Sequence, residues 1–216
     1  MFQLPEKAQF SRNIPKKKFY EQTGADEPLK RLFIEQIESV YWQYKLSKET
    51  TNLSPTKDVE EIQIFEITLR ERELSEKILK KIDTQIPYPI LYILTYNGHH
   101  KLKMAYKEKN QRTAHQQKVI SYHESDWTTK EALAEWEILQ GIHLQQVYEN
   151  LIKSLSKVSY KQEEDLQQTV QREQKRQELE RQIMKLEKKI KRERQFNRKV
   201  EMNQELRRLK KEIENC

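Results

Sequence analysis

Short runs of alternating apolar and polar residues occupy the first 160 positions, and such alternation is typical of strands with one buried face. Residues 89–96 are almost entirely apolar and lead into Asn97-Gly98, beyond which a second alternating run begins. Asn-Gly is the favoured sequence of a tight β-hairpin because both turn residues accept positive φ. The pattern predicts about five strands, at residues 40–46, 62–69, 89–96, 102–106 and 119–122, although residues 60–73 also fit a helix.

Apolar residues at helical spacing lie between and after these strands. Asp26-Glu27-Pro28 is typical of a helix start, because a carboxylate caps the first turn and proline is tolerated there. Residues 75–82 and 140–155 also place apolar side chains at helical intervals. We therefore predict an α+β domain over residues 1–160, in which flanking helices cover a mixed sheet.

Residues 161–216 follow a different pattern, without glycine or proline and with Phe196 as the only aromatic residue. Four apolar residues recur at the a and d spacing of a coiled-coil seam: Leu179, Ile183, Leu186 and Ile190. The pattern predicts a charged coiled-coil tail, formed by one long helix or by a helical hairpin. A single solvated helix is one alternative, but so polar a helix is mostly unstable without a partner for its apolar stripe, which is a second copy, another subunit or the tail's own second half.

The seam loses its register beyond residue 190. The next positions of the repeat are Glu193, Asn197 and Val200, of which only the last is apolar. A second run of apolar residues follows at 206, 209 and 213 in a shifted phase. A phase break of this kind indicates either a discontinuity in one long helix or a bend between two shorter helices.

The composition excludes several classes of protein. The chain has 216 residues, of which 35% are hydrophobic and 35% are charged, and its formal net charge is +7. The single cysteine cannot form a disulfide framework, and no apolar run approaches the ~18 residues of a membrane-spanning helix. Charged residues interrupt the first 18 positions, so no secretory leader is predicted. We expect a soluble cytoplasmic protein.

The positive charge is concentrated in residues 185–199, which hold eight lysines and arginines against Glu187 and Glu193, a local excess of 8 − 2 = 6. An ordinary face neutralised by Glu/Lys pairs within the helix is the alternative, but two acids cannot pair with eight cations. This density of cations can neutralise several phosphates of nucleic acid. We predict that six of them contact phosphate: Lys188, Lys189, Arg192, Arg194, Arg198 and Lys199.

One pattern suggests enzyme chemistry, that of a metal-dependent nuclease. Restriction-type nucleases place an acid on one strand and an acid-x-lysine pair on the next, where these groups bind Mg²⁺ and position water. Asp58 followed by Glu61-Ile62-Gln63 approaches that pattern, although Gln63 stands at the lysine position. Solvent-facing charges on a strand are the alternative interpretation. Three glycines cannot form a phosphate-binding loop and the histidine spacing fits no metal site, so we predict no cofactor and no metal.

Several segments resemble a bacterial family in sequence and order: YWQYKLS at 41–47, TNL at 51–53, EIQIFEI at 61–67, IPYPILYIL at 86–94 and RQFNRKVEMN at 194–203. The family is catalogued as a domain of unknown function, DUF4391, and the resemblance covers most of the chain. It implies no catalytic residue. It implies a genomic setting beside DNA methyltransferases and superfamily-2 helicases of restriction-modification or phage-defence type.

These observations together lead to one expected function and two alternatives. We expect a non-catalytic accessory subunit that joins a helicase or methyltransferase partner and contacts the DNA backbone through its tail. The first alternative is a nuclease-like subunit that uses Asp58 and Glu61. The second alternative is a homo-oligomer organised by the tail.

Overall fold

A computed structural model describes residues 2–21, 24–109, 117–156 and 166–214. The chain divides into two compact units, Met1–Ser156 and Lys157–Cys216. The first unit contains the sheet and the second contains the last two helices. The boundary predicted after residue 160 lies outside the described residues.

A six-stranded mixed sheet organises the first unit, with its strands in sequence order. The third and fourth strands run parallel, and all other neighbours run antiparallel. The mixed α+β fold predicted from the sequence is therefore confirmed. The strands are β1 (Gln9–Asn13), β2 (Ile37–Leu46), β3 (Ile62–Leu69), β4 (Ile90–Tyr96), β5 (His99–Lys109) and β6 (Gln117–Glu124).

The prediction of five strands was wrong by one, because the sequence analysis missed β1. This edge strand contains a single apolar residue, Phe10, and its other side chains are exposed. Ser11 has a φ of 45° and the register with β2 shifts between Gln9 and Arg12, so no regular alternation is visible. Backbone pairing with β2 forms this strand, and backbone pairing leaves no hydrophobic pattern in the sequence.

Three predicted helical segments form helices in the first unit, at Glu27–Gln36, Glu76–Gln85 and Leu144–Leu155, whereas the helices at Lys16–Glu21 and Lys48–Thr51 were not predicted. The Asp26 side chain accepts a hydrogen bond from the Leu29 N–H at 3.0 Å, which confirms the predicted helix start. After a short 3₁₀ helix at Glu6–Ala8, the α-helices are α1 (Lys16–Glu21), α2 (Glu27–Gln36), α3 (Lys48–Thr51), α4 (Glu76–Gln85), α5 (Lys130–Ala134) and α6 (Leu144–Leu155). The second unit holds α7 (Leu166–Arg192) and α8 (Phe196–Glu214).

The β4–β5 hairpin forms at the predicted turn. Asn97 and Gly98 have φ angles of 47° and 76°, and Tyr96 pairs with His99 across the turn. Both turn residues therefore adopt the left-handed backbone that Asn-Gly accepts at low cost.

Helices cover both faces of the sheet. The β3–α4–β4 crossover joins the two parallel strands and lays α4 over one face, where α2 also packs. The core on this face includes Phe33, Ile37, Phe65, Ile67, Ile78, Leu79, Ile82 and Tyr92, all almost fully buried. On the opposite face, α6 packs against β5 and β6, and the Tyr148 ring stacks on Tyr106 with 6.5 Å between centroids.

Lysines on β5 point from the sheet towards α4. Lys103 and Lys107 lie on the opposite face of β5 from Tyr106, since neighbouring strand residues alternate in direction. Lys103 pairs with Glu76 at 2.9 Å, and Lys107 pairs with Asp83 at 2.9 Å. Glu76 and Asp83 are seven residues apart, a rise of about 10 Å along α4, and Lys103 and Lys107 are four residues apart, about 13 Å along β5. These spacings are similar, so both pairs form with the helix in one position.

The Lys107–Asp83 pair is fully interior, with side-chain exposures of 1% and 0%. The Tyr122 hydroxyl donates to Asp83 Oδ2 at 2.7 Å. Lys107 Nζ also lies 3.1 Å from the carbonyl oxygens of Asp83 and Ile86 and 2.8 Å from that of Tyr88. Lysine therefore binds the carbonyls at the end of α4 as well as the carboxylate, where the helix dipole favours a cation.

The environment of this pair shifts the pKa of each member. Burial raises the pKa of the Asp83 carboxyl and lowers the pKa of the Lys107 ammonium, while the attraction between the two charges opposes both shifts. Burial also raises the pKa of Tyr122, which keeps its hydroxyl protonated as a donor. A buried pair of this kind depends on every partner being present.

Removal of one partner of the buried pair should destabilise the protein strongly. We expect Lys107→Met to lower the free energy of unfolding by about 3–5 kcal/mol, because it leaves Asp83 buried without a counter-charge. The double variant Asp83→Leu/Lys107→Met should lose less than the sum of the two single losses. Urea denaturation of the four proteins measures this coupling, and additive losses would contradict it.

An exposed ion pair provides the control for this experiment. Lys30 Nζ lies 3.3 Å from Glu27 Oε1 with side chains 40% and 76% exposed. Lys30→Met should change the free energy of unfolding by less than ~1 kcal/mol, because solvent screens the pair.

The Lys103–Glu124 pair predicts how stability depends on pH. Despite the opposing effect of burial, hydrogen bonds and charge attraction from Lys103 and Lys101 lower the pKa of Glu124 from its ordinary 4.5. Hydrogen bonds and charge attraction from Glu124 and Glu76 likewise outweigh burial and raise the pKa of Lys103 from 10.5. The Glu124 contribution is therefore complete above pH 4.5 and is lost as the pH falls through the lowered pKa, and the Lys103 contribution is lost only as the pH rises through its raised pKa.

We expect Glu124→Gln to be less stable than the parent protein by a constant amount between about pH 5 and pH 9. Below pH 4.5 that difference should shrink, because the parent carboxylate becomes protonated too. Urea denaturation across this pH range measures the difference. A difference that stays constant down to pH 2 would contradict the assignment, and Glu27→Gln serves as the exposed control.

Candidate nucleic-acid interface

The break in the apolar repeat of the tail corresponds to a turn. The helix α7 ends at Arg192, α8 begins at Phe196, and three residues connect them. Lys175 Nζ lies 3.1 Å from Glu212 Oε1, and Lys210 Nζ lies 2.9 Å from Glu187 Oε1, so α8 folds back along α7. The described part of the tail is a helical hairpin, and a long coiled coil is not shown.

Glu193 shapes the turn. Its Oε1 accepts the backbone N–H groups of Arg194 at 2.7 Å and Gln195 at 2.8 Å, while its own N–H closes the last turn of α7 on the Lys189 carbonyl. These backbone hydrogen bonds, assisted by the charge of Arg198, lower the pKa of Glu193. The acid thus satisfies backbone donors just before α8, where a negative charge complements the helix dipole.

The predicted seam lies on the less exposed side of α7. Leu179 and Leu186 are buried, and Ile183 and Ile190 are half-buried. The helix α8, which contacts α7, has its own half-buried apolar residues at positions 202, 206, 209 and 213. The second half of the tail therefore offers the seam a partner within the same chain. A role of the seam in joining subunits remains a prediction.

The turn brings the predicted phosphate-binding residues to one end of the hairpin. We call residues 185–199 the basic tip. All six predicted cations are exposed there: Lys188, Lys189, Arg192, Arg194, Arg198 and Lys199. The two acids of the basic tip have other partners. Glu187 pairs with Lys210, and Glu193 accepts hydrogen bonds from backbone amides.

Within the described residues of the hairpin, none of the six cations forms an ion pair. Ion pairs do form elsewhere in the hairpin, as between Arg176 Nε and Glu180 Oε1 at 3.2 Å. The cations of the basic tip outnumber its two acids, and the six predicted ones form no ion pair within the described hairpin, so most of the positive charge remains. Exposed like charges gathered at one end of a helical pair produce a strong positive potential, which attracts polyanions.

The structure brings together two of the three residues of the nuclease prediction. Glu61 is buried directly before β3, and its Oε1 accepts a hydrogen bond from Gln63 Nε2 at 2.8 Å. Its other oxygen lies 2.8 Å from Lys45 Nζ on β2, and this hydrogen bond raises the pKa of Lys45. Asp58 lies exposed in the segment before β3.

Lys45 is thus a basic residue that the sequence analysis did not connect with Glu61. It lies opposite Gln63 in the antiparallel register of β2 and β3, which only the pairing of the strands reveals. Among the described residues, no group of three or more His, Cys, Asp and Glu side chains is arranged to hold a metal ion.

A cleft of about 260 Å³ lies at the start of α4, and the sequence pattern did not predict it. Its charged lining comprises Arg72, Glu73, Glu76, Lys101, Lys103 and Glu124, with Trp127 as one wall. Three cations face three acids there, so the cleft carries no net charge. The signal in the sequence was the pair of lysines at alternate positions of β5, Lys101 and Lys103, together with Glu76 at the start of α4.

The comparisons with known proteins identify only the family of the chain. Neither the curated proteins nor the solved structures gave a match to the chain. No helix in the described part of the chain is both long and apolar enough to cross a membrane. The model of the family described as "Domain of unknown function (DUF4391)" matches residues 2–213. Because this match extends over nearly all of its 216 residues, the chain belongs to the DUF4391 family.

Proposed function

We propose that the protein is a non-catalytic accessory subunit of a bacterial DNA-processing complex of the restriction-modification or antiphage-defence type. In this proposal the basic tip lies against the DNA backbone. The observation that carries it is the set of six exposed cations at the turn, none of which is paired within the described hairpin. Unpaired like charges that lie together at one end of a helical pair favour the binding of an anionic partner, which neutralises them.

Phosphate contact suits these side chains better than base recognition. Lysine and arginine at the end of a hairpin reach the backbone oxygens without entering a groove, and such contacts position a protein without reading sequence. Arginine can also bind phosphate through two parallel hydrogen bonds. The proposed interaction is therefore independent of sequence and sensitive to salt.

The partner part of the proposal rests on resemblance. The segments shared with the DUF4391 family imply a setting beside DNA methyltransferases and helicases, and the α+β unit would dock on one of these larger proteins. The seam residues Leu179, Ile183, Leu186 and Ile190 would either stay within the hairpin or take part in assembly. A cytoplasmic location is part of the same proposal.

The DNA role can be tested with a variant of the full-length chain in which all six cations of the basic tip become glutamine. We expect this variant to bind duplex DNA at least about tenfold more weakly at low salt. The magnitude of the slope of log K against log salt should fall by up to about 5, because each of the six lost phosphate contacts removes roughly 0.9 from it. Fluorescence anisotropy titrations at several salt concentrations measure both quantities.

A matched control separates the basic tip from overall charge. Six exposed cations of the first unit are replaced by glutamine instead: Lys7, Arg31, Lys48, Lys77, Lys80 and Lys118. Both variants have a formal charge of 7 − 6 = +1. We expect the control to keep most of the affinity and the salt slope. Equal losses in the two variants would refute a localised interface, and unchanged binding in the tip variant would refute the DNA role.

The nuclease alternative has a separate test. We expect no Mg²⁺-dependent cleavage of plasmid or linear DNA by the full-length chain, assayed by gel electrophoresis. Cleavage that disappears in both Asp58→Ala and Glu61→Ala would replace the accessory role with catalysis. Cleavage that survives both substitutions would indicate a contaminating nuclease.

A further inference from the structure

Phe196 is exposed, so its side chain contributes little to the stability of the hairpin. It is the first residue of α8, the only aromatic residue in positions 161–216, and 78% exposed. Burial of a phenylalanine side chain stabilises a fold, so a residue that stabilised the hairpin would face the other helix. The hairpin instead presents this ring to solvent at its turn.

Cationic residues flank Phe196 in the sequence. Arg194 and Arg198 lie two residues to either side of it, and Lys199 lies one turn further along α8 on the same helical face. Val200 follows on that face and is 40% exposed. The basic tip therefore presents a small apolar spot with a flat aromatic ring, bordered by cations that are not paired within the described hairpin.

An aromatic ring among phosphate-binding cations matches the chemistry of unpaired nucleotides. Proteins bind single strands by following the backbone with lysine and arginine while bases stack on aromatic side chains. Every base offers a flat face, so such stacking needs no particular sequence. In a duplex the bases already stack on one another, and insertion of a side chain between them costs a few kcal/mol of unstacking.

A membrane surface would require a broader apolar face. Helices that lie in the interface of a bilayer bury a continuous apolar side along several turns. In the described hairpin, the exposed large apolar side chains are Met184, Phe196 and Val200, and only the last two lie on α8. This area is too small to anchor the basic tip in lipid, whereas one ring is sufficient for one base.

We propose that Phe196 makes the basic tip a single-stranded DNA site, in which the ring stacks on an unpaired base while the neighbouring cations hold the phosphates. This inference rests on the proposed DNA contact of the basic tip and adds the form of DNA that it prefers. Single-stranded DNA arises wherever a helicase separates a duplex, which is the kind of partner in the proposed complex.

The test compares Phe196→Ala with the parent full-length chain on three probes of equal length and at equal salt. The probes are an oligothymidylate, a DNA duplex and an oligonucleotide that carries abasic sites throughout. We expect the parent to bind oligothymidylate most tightly. The substitution should weaken oligothymidylate binding by about tenfold, since stacking contributes about 1–3 kcal/mol per base. Binding to the duplex and to the abasic strand should change by less than about twofold.

Two control variants accompany this comparison. Met184→Ala removes another exposed apolar side chain, 57% exposed, outside the group of six cations and should leave all three affinities unchanged. Phe196→Trp keeps an aromatic face and should retain the preference for oligothymidylate. Far-ultraviolet circular dichroism verifies that each variant keeps the helical content of the parent.

The possible failures are distinguishable. Unchanged oligothymidylate binding in Phe196→Ala, or equal weakening on all three probes, would overturn the stacking role. If the six-cation variant still loses affinity, the proposed DNA function survives that result. If Phe196→Ala instead loses binding to anionic vesicles and to none of the DNA probes, the ring serves a lipid surface and the inference is wrong.

Discussion

Lys107 and Asp83 meet in the interior between β5 and α4, so neither buried charge has its counter-charge unless the helix lies in this position on the sheet. Two buried charges are costly unless each finds its partners, and here the carboxylate, three carbonyl oxygens and the Tyr122 hydroxyl supply those contacts. The second pair, Lys103 with Glu76, is satisfied in the same placement. Both pairs form with α4 in this one position on the sheet, so charge pairing and hydrophobic packing agree on the geometry of the β3–α4–β4 crossover.

The basic tip follows the opposite principle to this interior. Lys103 and Lys107 of β5 are withdrawn from water and matched by acids on neighbouring elements, whereas the six cations of the basic tip are exposed and form no ion pair within the described hairpin. The acids that could have neutralised the tip are used differently, Glu187 by Lys210 and Glu193 by backbone amides. One kind of residue therefore specifies the fold in the first unit and, in our proposal, binds DNA in the second.

Much of the fold could be predicted because its signals are local. Asp26 caps the first turn of α2, and Asn97-Gly98 forms the β4–β5 turn, since both depend on residues within a few positions of each other. The strand β1 escaped prediction because its formation depends on backbone pairing with β2 and a bulge at Ser11 conceals its alternation. For the candidate interface, the six cations were identified by charge density alone. The pairing of Glu61 with Lys45 was not, because it joins different strands.

The sequence by itself determined the mixed α+β character, the tight hairpin, the break in the apolar repeat and the concentration of charge in residues 185–199. Each of these follows from composition or from spacing along the chain, which folding cannot alter. Only the tertiary structure decided that the break is a turn, that α8 folds back on α7, and that Lys103 and Lys107 of β5 are buried rather than solvated. Those outcomes depend on which distant segments meet, because a charged residue is stable in the interior only where its counter-charge arrives from another element.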